Sequence, residues 1–583
     1  MAKEGLLLII ESPGKLKKIT QYCKELGYDA VVKASMGHIR ELFSTGEDGW
    51  GFAIDGNKIT SDWSVTASKK KNVADIKSQA KGRRVILATD GDREGESIAW
   101  HLAQVLKLKN PDRITYAEIT KPALKAALDK PRKLDDGLVG AALGRAHLDK
   151  MVGYSGSKRV VWALDIGAKS MGRVQSSALW ILVKRELEIR NFKPTTYFSL
   201  TTTYGEGFKA LYRAASTKAS ESVEVVDDSG EEKAGSESDR VTDKAVAEKI
   251  LAIARSTPHQ VTKVESKKTS QNPPAALTTS TLQQVAGSKL KFSPDQTMGV
   301  AQKLYEGGHI TYMRTDSVAL SEGFCDSVRQ YLEQHDPENV PTKVAKHGNK
   351  EGAQEAHEAI RPTDINQDPK QIKLSGEELA LYTLIWQRAI ATQCAPAQLN
   401  KTCVSIQSGS TNWEVRGQSL AFAGYTKHWN NLSGDSLLPV LKEGQTLKLI
   451  QVSADQKQTS APGRYTEPKL VQEMEKKGIG RPSTYASTIK TLKDREYIKI
   501  PKAKGMAKIE VTSMGLELMD VLDRVLPNIV RPQFTAEMEK SLDQVASGKL
   551  EWEKFLIEFY EKTFSPALIA AEKTIQDYKR KAS

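Results

Sequence analysis

The sequence predicts a multidomain chain of the α/β plus α class. Three observations carry that expectation. The chain has 583 residues, room for several domains. Its first part, to about Pro131, alternates short apolar runs with helical patterns. Further on, β-like sequence gives way to a helical block and then returns, as when one domain is inserted into another. In order, Leu6 to Ile10 is strand-like, 16–26 helical and 30–33 strand-like. Val85 to Ala88 has the unbroken apolar character of a strand inside a parallel sheet. Asp90, Asp92 and Glu94 follow where that strand hands over to a helix, in which Ile98, Leu102, Val105 and Leu106 keep helical spacing. Residues 113–117 complete the α/β pattern, and 64–77, with three consecutive lysines, read as a solvated excursion from the sheet.

From about 140 to 191 the pattern is helical, one helix being opened by Met171-Gly172-Arg173-Val174-Gln175. Residues 197–212 alternate as strands, and 215–243, rich in Ser, Glu, Asp and Lys, read as an exposed insertion. Helical sequence spans roughly 278–395, strand-like sequence 404–452, and helical sequence again 466–574. There is no internal repeat.

Lys and Arg total 85 against 72 Asp and Glu, a net charge of +13, which fits a polyanionic partner such as nucleic acid without requiring one. Cys23, Cys325, Cys394 and Cys403 are scattered and form no Cys-x-x-Cys pair. That spacing encodes neither a zinc ribbon nor a disulfide framework, so they are expected to be reduced, packed thiols. The sequence opens with no signal-peptide pattern and has no apolar stretch of membrane-spanning length. A soluble cytoplasmic location, with no membrane partner, is the expectation.

Three motifs bear chemistry. Asp90, Asp92 and Glu94 stand at the carboxyl end of a strand, where open α/β sheets bind ligands. Crowded carboxylates repel unless a cation lies between them, and their hard oxygens suit Mg²⁺; a solvated acidic turn fits the same residues. In Gly307-Gly308-His309-Ile310-Thr311-Tyr312-Met313-Arg314-Thr315-Asp316-Ser317, a glycine pair ends a helix and a β-favouring run follows. Tyr312 and Arg314 then point the same way. A phenol of pKa about 10 is a poor unaided nucleophile, and a guanidinium can lower that pKa and brace a phosphate. A half-buried tyrosine beside an exposed arginine is the simpler alternative. Glu11-Ser12-Pro13-Gly14-Lys15 places a carboxylate at a strand end and a lysine at a helix start, where anions are favoured. It lacks the Walker A pattern, so ATP binding has no support.

Together these motifs resemble the bacterial type IA DNA topoisomerases, closest to the topoisomerase I branch. Glu11 with the Asp90–Glu94 run resembles that family's Toprim domain, and 308–317 its active-site tyrosine motif, with His309 where leucine is usual. Further matching blocks are 35–38, 172–176, 274–284, 357–363, 478–485 and 534–539, so the resemblance covers 11 to about 548. It implies a four-domain torus: a Toprim domain (1–139), a helical DNA-binding domain (140–196 and 461–583, with a basic tail), a β-rich hinge (197–271 and 399–460) and an inserted tyrosine domain (272–398). No zinc ribbon is present in this sequence.

The activity the resemblance implies is ATP-independent relaxation of negatively supercoiled DNA through a transient 5′-phosphotyrosine. Tyr312 would attack a phosphodiester of single-stranded DNA and Arg314 would stabilise the phosphate. Lys15 would contact the scissile phosphate, and Glu11 would serve the leaving 3′-oxygen, as a general acid with a raised pKa. Asp90, Asp92 and Glu94, with Glu11, would hold Mg²⁺. His38, Arg173, Gln175, His357, Arg361, Arg481 and Ser483 would lie along the DNA, with His357 and Arg361 sharing a helical face before Pro362. A monomer acting in the bacterial nucleoid is implied. A topoisomerase III-like decatenase stays open as the alternative, with a Toprim nuclease and a non-catalytic DNA clamp more remote.

Overall fold

The computed structural model describes residues 5–214, 227–229, 237–344, 347–348, 358–432, 434–503 and 505–582. Its N-terminal part is built on four parallel strands in the order Ala30–Ala34, Leu6–Ile10, Arg84–Ala88, Asp112–Arg113. The middle strands are apolar except for the exposed Arg84 at the start of one, because both faces are covered. Leu7, Ile9, Val85 and Leu87 pack on one side with Val73 and Ile76 of the Lys70–Ala80 helix and Ile98 and Leu102 of the Arg93–Leu106 helix. Leu6, Leu8, Ile10 and Ile86 face the other way, against Ile19 of the Leu16–Glu25 helix. That second core continues without a break into Leu304, Tyr305, Ile310 and Tyr312, so the sheet and the tyrosine segment share one hydrophobic body.

Two expectations for this part need correction. Residues 64–77 are no excursion: Trp63–Val65 pairs with Arg40–Leu42, and the Lys70–Ala80 helix seals the sheet with two apolar residues. The strand expected over 113–117 pairs only through Asp112–Arg113. The Arg113 guanidinium turns inward there and claims the carbonyls of Thr89 (2.7 Å), Asp90 (2.5 Å) and Leu87 (3.3 Å).

A seven-stranded antiparallel sheet runs in the order Thr446–Leu447, His259–Gln271, Ala397–Ser408, Thr411–Phe422, Lys209–Arg213, Thr196–Tyr204, Leu449–Gln458. Gln271 pairs with Ala397, so the chain leaves the sheet and returns to it on adjacent strands. Between those points lies the helical block of Thr279–Val285, Pro294–Glu306, Glu322–His335 and Gly376–Thr392. The helical block is thus bracketed by two neighbouring strands of one sheet. Most of the polar stretch 215–243 falls outside the described residues. Its last part is not exposed as expected: Ser238 and Val241 are buried, and Val241 bridges Phe198.

The Asp136–Ser155 and Arg173–Arg190 helices join the helices from Glu467 onward in the largest core, around Leu179, Leu470, Leu518 and Phe564. All four cysteines are free, Cys23 and Cys394 buried. Among the described residues no helix is long and apolar enough to cross a membrane.

Candidate active site

The acidic run forms the turn between the Arg84–Ala88 strand and the Arg93–Leu106 helix. Asp92 caps that helix, accepting from the Gly95 amide at 2.8 Å. Gly95 is obligatory by proximity: a Cβ there would lie 2.2 Å from the Asp90 carbonyl oxygen. Arg113 holds the same turn from beneath and pairs with the buried Glu96 at 3.2 Å. Sequence reasoning missed Arg113; its one signal was a charged residue within an otherwise apolar strand pattern.

Around this turn each carboxylate has a partner. Lys15, fully buried at the end of the Pro13–Lys15 turn, pairs with Asp90 and lies 4.8 Å above the Tyr305 ring. Glu94 meets His38 at 2.8 Å. Burial pushes the Glu94 carboxyl up, but His38, Arg145 and Arg314 outweigh it and hold the pKa at about 2. Glu11 goes the other way: burial first, then the charges of Asp90 and Asp92, raise it to about 7 against the pull of Lys15 and Arg314.

Tyr312 reaches this turn from 220 residues away in sequence. Its hydroxyl donates to the Asp92 carboxylate at 2.7 Å, and Arg314 approaches the same oxygen at 3.9 Å. Both side chains reach the same Asp92 oxygen, Tyr312 buried like Thr311 and Met313, Arg314 partly exposed. The segment is held less by a ladder than by single contacts: Ile310 bridges Pro362, and the Tyr312 amide donates to the Ala117 carbonyl at 2.7 Å. Burial, then Asp92 and Asp90, push the phenol well above its ordinary pKa; Arg314 lowers it, and is outweighed. The guanidinium thus does what the sequence suggested without prevailing in this arrangement. The start of the segment also docks: Lys18 donates to the Gly307 carbonyl, and Ser12 to Glu306 just before it.

The residues expected along DNA divide. Arg173 and Gln175 line a groove of about 900 Å³ with Asp149, Tyr154, Trp162 and Thr484. The Gln175 side-chain amide nitrogen is buried there with no hydrogen-bond partner among the described residues. Arg173, however, is almost entirely buried and is bound to Asp149 (2.8 Å) and Glu539 (2.6 Å). Arg481 pairs with Asp543 at 2.6 Å. Ser483 is half-buried in the turn after Arg481; Thr484, not Ser483, caps that turn, accepting from the Arg481 amide at 2.8 Å. Arg361 is not helical. Ile360 bridges Leu277, and Thr311 donates to the Arg361 carbonyl, which keeps the backbone extended. Its guanidinium is buried between Glu358 (2.7 Å) and Glu118 (2.8 Å). His357 lies outside the described residues.

Among the described residues no group of three or more His, Cys, Asp or Glu side chains is gathered as a metal cage. The donor chemistry nonetheless fits a hard divalent cation. Glu11, Asp90 and Asp92 offer only oxygen, and their mutual repulsion is what a cation relieves.

Comparison with known proteins identifies the family of the chain. The chain matches the Toprim domain over residues 6–122 and the DNA topoisomerase family over 133–557. It is 38% identical to DNA topoisomerase 1 of Pseudomonas aeruginosa, covering 95% of this chain and 66% of that one. Against DNA topoisomerase 1 of Campylobacter jejuni the identity is again 38%, over 95% and 77% of the two chains. The full-length topoisomerase I of Thermotoga maritima superposes with a TM-score of 0.82 at 35% identity, covering 96% of this chain and 90% of that one.

Proposed function

The chain belongs to the bacterial DNA topoisomerase I family, and on that premise we propose that it relaxes negatively supercoiled DNA without ATP, by a reversible single-strand transesterification. The observation that carries this reading is the hydrogen bond from the Tyr312 hydroxyl to Asp92. It brings the proposed nucleophile onto the acidic turn that Lys15 and Arg314 also reach.

In cleavage the Tyr312 oxygen bonds to phosphorus as the bond from phosphorus to the 3′-oxygen breaks. The phenolic proton passes to the Asp92 carboxylate that already accepts it in a hydrogen bond. Glu11, with its pKa near 7, supplies a proton to the departing 3′-oxygen and recovers it in rejoining. Arg314 faces both Tyr312 and Asp92 and stabilises the phosphate charge once DNA has displaced the resting contacts. Lys15 exchanges Asp90 for the scissile phosphate. The energy of the broken ester is kept in the phosphotyrosine, so no nucleotide is consumed. Glu11, Asp90, Asp92 and Glu94 would hold Mg²⁺, which when bound supplies charge neutralisation and Lewis-acid polarisation. Single-stranded segments of negatively supercoiled DNA would be the substrate, entering along the groove of Arg173 and Gln175.

No observation favours decatenation as the main activity, and a Toprim nuclease would leave the match over 133–557 unexplained. The test is relaxation of a negatively supercoiled plasmid with Mg²⁺ and no ATP. Wild type is expected to relax it and Tyr312→Phe to leave it untouched. Relaxation by the variant, or nicking without relaxation by wild type, refutes the reading.

A further inference from the structure

Beneath the groove, the Pro532–Ala546 helix presents Glu539 and, one turn later, Asp543 to four arginines from four separate segments. Glu539 binds Arg173 at 2.6 Å and Arg145 at 3.0 Å, with Arg481 at 3.7 Å; Asp543 binds Arg481 at 2.6 Å and Arg93 at 2.5 Å. Arg173 lines the groove, and Arg93 directly follows Asp92 in the acidic turn. Glu539 itself is 1% exposed and does not line the groove; it reaches it only through Arg173.

Resting on the function proposed above, we infer that Glu539 is a positioning residue for strand cleavage: its carboxylate fixes Arg145, Arg173 and Arg481 in the register that seats the DNA backbone against Tyr312. One feature separates this from a merely structural ion cluster. The four guanidiniums are balanced in charge by Glu539, Asp543, Asp149 and, through Arg145, Glu94. Arg93 NH1 and Arg145 Nε are nonetheless buried without a hydrogen-bond partner among the described residues. A buried cluster built only for stability would satisfy those donors, since each unsatisfied one costs about 1–3 kcal/mol. Spare donors in the cluster that holds the groove-lining Arg173 leave it able to re-form its bonds when a phosphate engages that arginine. Glu539 supplies orientation, because a single carboxylate shared among guanidiniums sets their mutual spacing.

The inference predicts a split between binding and chemistry. In Glu539→Gln the cluster loses a negative charge but keeps a group of the same size. Affinity for a single-stranded oligonucleotide should hold or rise, with the salt dependence steeper by about one counterion. Cleavage at saturating DNA should slow by about tenfold or more. The experiment uses the full chain and a 3′-end-labelled oligonucleotide, measuring Kd against salt, the single-turnover rate of covalent adduct formation, and Tm. Glu539→Asp, which keeps the charge and withdraws it by one methylene, is expected to leave Kd and its salt slope unchanged and still slow cleavage. That variant decides the matter if the glutamine variant does not fold. A cleavage rate at saturation equal to wild type in the folded variants overturns the inference. So does a parallel fall of affinity, rate and Tm, which marks a structural role. No adduct from wild type would instead strike the proposed function itself.

Discussion

The proposed catalytic seam and the arginine cluster are both buried, charged and assembled from distant segments, yet they are balanced in opposite senses. At the seam, burial and neighbouring carboxylates push Glu11 to about 7 and Tyr312 well above its ordinary range. In the cluster, burial works against Glu539, but Arg145, Arg173 and Arg481 prevail and hold it far below the ordinary carboxylate range. The seam is therefore stabilised by protonation and strained by charge, whereas the cluster is cemented by charge. On the function proposed above, a gate that opens and recloses would have its weak surface where the tyrosine meets the acidic turn, and its firm surface along the proposed DNA groove.

The comparison breaks most visibly at the nucleophile. Tyr312→Phe is expected to reduce adduct formation by on the order of 10⁴-fold or more, while the phenylalanine ring keeps the packing against Tyr305. Adduct assays paired with thermal melts check both halves. Next is Glu11→Gln, expected to slow cleavage by about 10²-fold at pH 6, where the wild-type carboxyl is protonated and can donate. The wild-type single-turnover rate should fall as pH rises through about 7, and the variant's should not.

The same group gives a stability test. Its folded pKa is raised from 4.5, so its stabilising contribution is complete below 4.5 and is lost as pH rises to about 7. Denaturant melts should show wild type losing up to about 3 kcal/mol relative to Glu11→Gln between those limits. Arg173→Ala attacks the firm surface and should cost about 3 kcal/mol at neutral pH, because it strips a partner from the buried Glu539. The smallest effect belongs to His38→Ala, which should let the Glu94 carboxyl rise from about 2 towards its ordinary range, as read by NMR titration.

What the sequence revealed and what it hid follow from how local each feature is. The acidic turn was legible because an apolar strand, alternate carboxylates and a helix lie within some twenty consecutive residues. The return of strand-like sequence after the helical block was legible from the order of patterns alone. The 64–77 stretch misled because its helix buries only Val73 and Ile76 among many lysines. Arg361 looked helical because its neighbours are good helix formers, and only the remote Thr311 and Leu277 hold it extended. Arg173 and Arg481 were visible as candidates for gripping DNA, but their engagement by Glu539 and Asp543 joins segments more than sixty residues apart in sequence. No spacing rule reports such a contact. Arg113 was hidden for the same reason: its importance lies in the carbonyls it collects, not in its own pattern.

The most direct test of the account is to map the covalent adduct. The full chain is reacted with a single-stranded oligonucleotide and denatured, both polymers are digested, and the modified peptide is identified by mass spectrometry. The account predicts a 5′-linked nucleotide on the peptide containing Tyr312, its fragmentation placing the mass on that residue. A nucleotide on any other side chain, or cleaved DNA with no modified peptide, would contradict it.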